Sequence, residues 1–296
     1  DPALLKLITR ENLLDYYEKY FSPNNMIITL IGDVQPRSTL RKIISLFGSK
    51  SKSEIPQQEI IQENVQTELR YDRENIVIDS KDKDSTALPN HRIQIGYHTS
   101  SFSDKDKIAL DLVKFILGSG SHSKLKSEIK DTALLTINSE SENAQDTGLF
   151  LVRADLKPFV SSQNTIIEIL KQLEILKKSY IPTSDLNKAK AAIENIFILE
   201  TQSPTGLATL ISRFERYGSY QKALQYLDTL FALTHEDIYK IANKYFSIYN
   251  SSIVEITPQH KNEKNNDKQL FTKKVIEQVT SFSHKLKVEI PPVITE

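Results

Sequence analysis

KYFSPNN, residues 19–25, and KYFSIYN, residues 244–250, say nearly the same thing 225 positions apart. Read outward, residues 8–25 are ITRENLLDYYEKYFSPNN and residues 233–250 are LTHEDIYKIANKYFSIYN. Seven of the eighteen aligned positions are identical: Thr9 with Thr234, Glu11 with Glu236, Lys19 with Lys244, Tyr20 with Tyr245, Phe21 with Phe246, Ser22 with Ser247 and Asn25 with Asn250. An apolar run of strand type follows each copy, MIITLI at 26–31 and SIVEI at 252–256. An internal repeat of this kind governs the fold and has to be read first.

Both copies carry the same helix chemistry. Thr9 and Thr234 occupy N-cap positions, with Glu11 and Glu236 in the first turn, where a carboxylate suits the helix dipole. Leu13, Leu14, Tyr17, Tyr20 and Phe21 fall at helical spacing, as do Ile238, Ile241, Ala242, Tyr245 and Phe246. Pro23 with Asn24 and Asn25 stops the first helix; Tyr249 with Asn250 stops the second. Each copy is expected to be helix, tight turn and buried strand. Two unrelated amphipathic helices would not share turn and strand at one fixed offset, so duplication is favoured. A unit of that length leaves only the end of a first copy here, and the chain reads as truncated at its front. It opens on Asp1-Pro2, and its only methionine is Met26. A helix and one strand cannot bury enough surface to fold alone.

Composition is that of an ordinary globular protein, 39% apolar and 26% charged. Lys+Arg and Asp+Glu both number 38, so no net field draws in nucleic acid or an anionic membrane. No run of 18 apolar residues suggests a membrane span, and no signal peptide is visible. Cysteine is absent, which excludes disulfides, thiolate metal sites and cysteine nucleophiles.

Along the chain, residues 35–48 predict a helix that closes the first unit, and SKSKSEIPQQEIIQENVQTE reads as a linker. NIVID (75–79), RIQIGYH (92–98), LLTINSE (134–140), GLFLVRADL (148–156) and 252–257 predict strands. Helices are expected over 104–118, 121–129, 162–179, 184–202, from Leu207 to Gly218, and over 234–246. KDKDSTALPN (81–90) reads as a charged turn, HKNEKNNDK as solvated chain and KVEIPPVITE as extended, with LFTKKVIEQVTSF able to form one more amphipathic helix. Strands, then helices, then a last strand argue α+β rather than a doubly wound parallel sheet. The expected layout is a first-domain remnant at 1–48, a linker at 49–74, a complete domain at 75–258 and a partly mobile tail at 259–296.

GYHTSSFSDKDKIALDLVKFILGSGSHSKLKSEI (96–129) resembles the second domain of the insulinase/pitrilysin-type zinc peptidases, near the mitochondrial processing peptidase branch. ITRENLLDYYEKYFSPNNMIITLIGDV, SDLNKAKAAIENIFILETQSPTGLATLISRFERYG and LTHEDIYKIANKYF fall in the family's order. The resemblance implies paired homologous α+β domains, a largely antiparallel sheet flanked by helices, and two halves closing around an unfolded peptide. It also implies zinc, held elsewhere in the family by a helical His-x-x-Glu-His and a distant Glu.

That motif is absent here. His91, His98, His122, His235, His260 and His284 include no pair three or four apart, so no helical ligand pair can form. His91 and His98 fall on opposite sides of one strand, and all six read as surface or turn histidines. The resemblance implies that zinc belongs to a preceding domain of the parent, and no cofactor is expected in this chain. GSGSHSK (118–124) lacks the P-loop spacing and follows a helix. The resemblance puts this turn, with Gly118 and Gly120, beside the peptide cleft.

The resemblance also assigns an Arg and, seven residues on, a Tyr that help stabilise the oxyanion. Lys130 and Ile137 occupy those positions. Lys lacks the bidentate fork, and Ile offers no donor. The resemblance implies the C-terminal, non-zinc domain of a metallopeptidase, a wall of a peptide chamber, inactive alone. The implied partners are an unfolded peptide, a homologous N-terminal domain and a second family subunit. A non-catalytic scaffold subunit with the same fold is the rival. The compartment, bacterial periplasm or envelope or cytoplasm, stays open.

Overall fold

The computed structural model describes residues 2–56, 66–78, 89–102, 104–119, 123–260 and 268–288. The expected turn at 81–88, the stretches 261–267 and 289–296, His122 and Gly120 lie outside the described residues. In chain order the helices and strands are α1 (Pro2–Leu5), α2 (Arg10–Tyr20), α3 (Pro36–Phe47), β1 (Arg70–Ile78), β2 (His91–Thr99), α4 (Asp106–Gly118), α5 (Lys124–Glu128), β3 (Leu134–Asn143) and β4 (Gly148–Leu156). Then come α6 (Gln163–Leu176), α7 (Thr183–Thr201), α8 (Pro204–Arg216), α9 (Gln221–Leu224), α10 (Tyr226–Ala232), α11 (His235–Tyr245), β5 (Ser251–His260) and α12 (Lys268–Lys285). The described residues form two compact units. One holds those up to 56 with Phe197–Leu224; the other holds 66–196 with those from Gln225 on.

The second unit is built on a five-stranded sheet of order β1-β5-β2-β4-β3. Only the β1–β5 pair is parallel; β5–β2, β2–β4 and β4–β3 are antiparallel, as the α+β pattern requires. Ile95 sits opposite Val152 on one side and Ile253 on the other. Strand alternation sends Ile93, Ile95, Tyr97, Phe150, Val152 and Ile253 to one face, where all are buried. Helices α4, α6, α11 and α12 contribute Leu110, Val113, Ile166, Leu170, Ile238, Val275 and Val279 to that core.

The repeat is borne out at the level of backbone. Each helix starts in a capping box: the Thr9 N–H donates to Asn12 Oδ1 at 2.9 Å, and the Thr234 N–H donates to Asp237 Oδ2 at 2.8 Å. Each ends on a phenylalanine of the same conformation, Phe21 at φ −94°, ψ 47° and Phe246 at φ −94°, ψ 41°. A 3-10 turn follows in both, Pro23–Asn25 and Ile248–Asn250. Asn25 Nδ2 donates to Tyr20 O at 2.8 Å and Asn250 Nδ2 to Tyr245 O at 2.9 Å. The shared letters thus encode one local shape.

The strand expected at 26–31 does not form. Met26 is extended, but residues 26–31 join no ladder and Met26, Ile27, Ile28 and Leu30 are exposed. A strand exists only by pairing, and no strand pairs with this segment among the described residues; its contact is with α8, where Ser212 Oγ donates to Thr29 Oγ1 at 2.7 Å. Its copy becomes β5 because β1 and β2 flank it. β1 begins at Arg70, inside the stretch read as linker. The tail is not loose throughout: α12 lays Phe271, Val275 and Val279 into the core, and Phe271 stacks on Tyr71 at 4.3 Å. His91 is not a surface residue; it is fully buried.

In the second copy each repeated letter has a task. Lys244 Nζ and Tyr245 Oη both donate to Asp106 Oδ2 at the start of α4, and Phe246 meets Tyr97 edge-on at 5.3 Å and Phe150 at 4.9 Å. Burial raises the Asp106 carboxyl, yet the Lys244 and Tyr245 bonds outweigh it and hold the group below its ordinary value. Asp106→Asn is expected to cost about 1–2 kcal/mol in urea unfolding, mostly through Tyr245 because Lys244 is half-exposed. No change in the midpoint would refute that role.

Candidate functional site

The sheet has one face under helices and one open. On the open face β2 presents Arg92 and Gln94, β3 presents Thr136, Asn138 and Glu140, β4 presents Arg153 and Asp155, and β5 presents Val254 and Ile256. They line a groove of about 490 Å³ floored by the strands. Arg153 is its hub. Its Nε donates to Gln94 Oε1 at 3.2 Å, its two terminal nitrogens donate to Glu140 and to Glu142, the latter at 3.0 Å, and its guanidinium is held across three strands. Arg92 pairs with Asp155 at 3.4 Å, and Thr136 Oγ1 donates to the same carboxylate at 3.2 Å. Leu151, on this face, lies over Gly96, where a Cβ would come within 3.2 Å of Leu151 Cδ2. The surface is polar, bisignate and half-exposed, suited to binding rather than to proton transfer.

The residues singled out from sequence do not gather into one site. Gly118 ends α4 in the core; a Cβ there would sit 2.1 Å from the Ser139 backbone nitrogen, so its smallness lets α4 pack on β3. Lys130 is exposed in the loop between α5 and β3. Ile137 is 2% exposed and faces the helices opposite Ala154, so its side chain offers nothing to the open face. Gly120 lies outside the described residues.

Sequence reading missed a buried polar cluster on the other face. His91 Nε2 lies 2.7 Å from Glu255 Oε2, and His91 Nδ1 lies 3.1 Å from Val160 O. Ser162 Oγ donates to Glu255 Oε2 at 2.6 Å, and Tyr71 Oη donates to Oε1 at 2.8 Å. Burial pushes the Glu255 carboxyl up, but the bonds from His91, Ser162 and Tyr71 hold it below the ordinary 4.5. Burial and the Glu255 charge push the Tyr71 phenol well up. One signal was available: Glu255 shares strand parity with Ile253, so alternation turns it inward. The cluster is no triad, because the serine and the histidine both bind the carboxylate rather than each other. Both His91 nitrogens are engaged, and among the described residues no group of His, Asp and Glu could hold a metal ion. The residues present do not fit zinc. None of the described helices is long and apolar enough to cross a membrane.

A family profile described as "Peptidase M16 inactive domain" matches residues 7–193. The chain belongs to the peptidase M16 family. Insulinase-like zinc proteases are its relatives. The M16 chain is 27% identical over 252 residues to the zinc protease PqqE of Helicobacter pylori, covering 84% of this chain and 55% of that protein. It is 26% identical over 240 residues to a probable inactive metalloprotease, YmfF, of Bacillus subtilis, covering 80% and 53%. Its fold matches the crystal structure of a protease from Helicobacter pylori with a TM-score of 0.76 at 25% identity, covering 85% of this chain and 60% of that one. The chain therefore spans about half the length of the curated relatives it matches. The matched region is the inactive domain of the M16 family, in keeping with the missing zinc motif.

Proposed function

We propose that this M16 inactive domain forms a non-catalytic wall of a peptide-binding chamber, and that another domain holds the catalytic zinc. The observation that carries this is the open sheet face with its groove of about 490 Å³, whose paired charges, exposed Val254 and half-buried Ile256 offer an unfolded peptide both polar and apolar contacts. Residues 1–48 would close a first homologous domain, and the sheet with α12 would form the second. In binding a labelled unfolded peptide, followed by anisotropy, the chain is expected to saturate without cleaving it. Arg153→Ala is expected to weaken binding about tenfold, or ~1.4 kcal/mol, since it frees Glu140 and Glu142 from their shared partner. Unaltered affinity in that variant would count against the groove. Stoichiometric zinc retained after dialysis would count against a non-catalytic wall.

Lys130 and the inward Ile137 support a division of labour in which another subunit supplies the oxyanion donors. A parent protein assayed without that subunit is expected to be slower by about 10²–10³. Full activity of the parent alone would sink this. The relative named a probable inactive metalloprotease favours a second reading, a scaffold with no proteolytic parent. Absence of peptide binding would favour it.

A further inference from the structure

We propose that the end of the sheet where β3 begins and β4 ends is a docking site for an acidic, apolar stretch of an extended peptide. Leu135 and Phe159 receive its apolar side chains, and Lys130 and Lys157 receive its carboxylates. The inference rests on the peptide-binding reading above and adds the class of peptide that is selected.

Two backbone irregularities put apolar side chains into water at this one end. Leu134 stands opposite Leu156 and Thr136 opposite Asp155, so Leu135 is the extra residue of a β-bulge, and it is 47% exposed. Past the end of β4, Phe159 holds φ at 59° and is 40% exposed. Among the described residues it is the one residue other than glycine in the left-handed region, which crowds a bulky side chain. The two segments meet at one bond, the Lys157 N–H donating to Ala133 O at 2.9 Å.

The backbone at Phe159 is fixed from both sides. Ala133 holds Lys157 before it; after it, Val160 O lies 3.1 Å from His91 Nδ1, and Ser162 Oγ donates to Glu255 Oε2 at 2.6 Å. A strained conformation persists only where the surroundings over-determine it, and here the buried cluster supplies the hold. His91 and Glu255 therefore position an aromatic ring at the surface as well as tying the strands.

The charge around these side chains is unbalanced. Lys130 and Lys157 are exposed, and no carboxylate pairs with either among the described residues. The acids next to them in sequence are engaged. Asp131 accepts from Thr165 Oγ1 at 2.6 Å and from the Ala133 N–H at 2.8 Å, and Asp155 takes Arg92 and Thr136. Two unpaired ammonium groups beside two exposed apolar side chains complement an apolar residue flanked by Asp or Glu, and they repel a lysine-rich peptide. Thr136 and Asp155 also line the sheet groove, so one extended chain can run from the groove to this end.

Two labelled unfolded peptides of equal length, amidated at the C-terminus, test the proposal by anisotropy against the 296-residue chain. They share their apolar residues; one carries Glu between them and the other Lys. The Glu peptide is expected to bind about fivefold more tightly, through two exposed ion pairs. Lys130→Glu with Lys157→Glu is expected to abolish or reverse that preference. Lys188→Glu with Lys240→Glu, an equal reversal at exposed helix positions, should leave it. Phe159→Gly is expected to weaken both peptides without lowering Tm as far as Phe246→Ala does, since glycine takes φ 59° freely. Equal affinities overturn the proposal and leave the chamber wall standing. So does a preference that survives the Lys130→Glu, Lys157→Glu pair or that the control pair removes as well. Phe159→Gly overturns it too if it binds both peptides as before, or if its Tm falls as far as that of Phe246→Ala. If neither peptide binds, the chamber reading falls together with this one.

Discussion

Glu255→Ala is expected to destabilise the sheet-bearing unit by about 3–5 kcal/mol, among the largest effects of any single replacement in it. Removal of the carboxylate takes the partner from His91, Ser162 and Tyr71 together, and His91 and Ser162 are buried away from solvent. His91→Ala should cost a similar amount, because it leaves a buried carboxylate short of its closest contact. The cluster ties β1, β2, β5 and the residue before α6, so its loss is felt across the sheet. The sign with pH follows from Glu255. Its carboxyl is held below 4.5 in the folded protein, so its contribution is present at neutral pH and is lost as pH falls through the folded value. Glu255→Gln should therefore differ most from the wild type near neutrality and converge with it in acid. Urea unfolding at several pH values measures this; a difference that stays constant from neutral pH to acid would refute the assignment.

The fold was legible wherever local pattern and tertiary context agree. β4 begins and ends where the alternation of GLFLVRADL says it should, and α11 where Thr234 and the Asn250 stop place it. The segment 26–31 reads as well as SIVEI by composition, but strand is a property of pairs, and among the described residues only the latter has strands beside it. The candidate site was less legible. Ile137 was marked by its place in a family pattern, yet strand parity turns it to the core. Arg153 is not legible in the sequence, because its meaning lies in Gln94, Glu140 and Glu142 on adjacent strands, and register cannot be read from one sequence. Glu255 was hidden for a related reason: parity turns it inward, but only the fold shows that His91, Ser162 and Tyr71 converge there.

Phe246→Ala is expected to cost about 3–5 kcal/mol, whereas Phe21→Ala should cost less than about 0.5 kcal/mol in the same chain. The two side chains end helices of the same backbone shape, so helix propensity and capping cancel in the comparison. What differs is burial. Phe246 lies between Tyr97 and Phe150, themselves fully buried, and its removal leaves a cavity that rigid strands cannot close. Phe21 stacks on Tyr17 and is 59% exposed. Within a duplicated sequence the same residue can thus be worth several kcal/mol or nothing, and the difference is set by the layer it meets. Chemical unfolding of both variants, read at the midpoint with the slope held common, decides the matter. Equal losses would mean that the two copies are equally covered and that the repeat does not separate a filled seat from an open one.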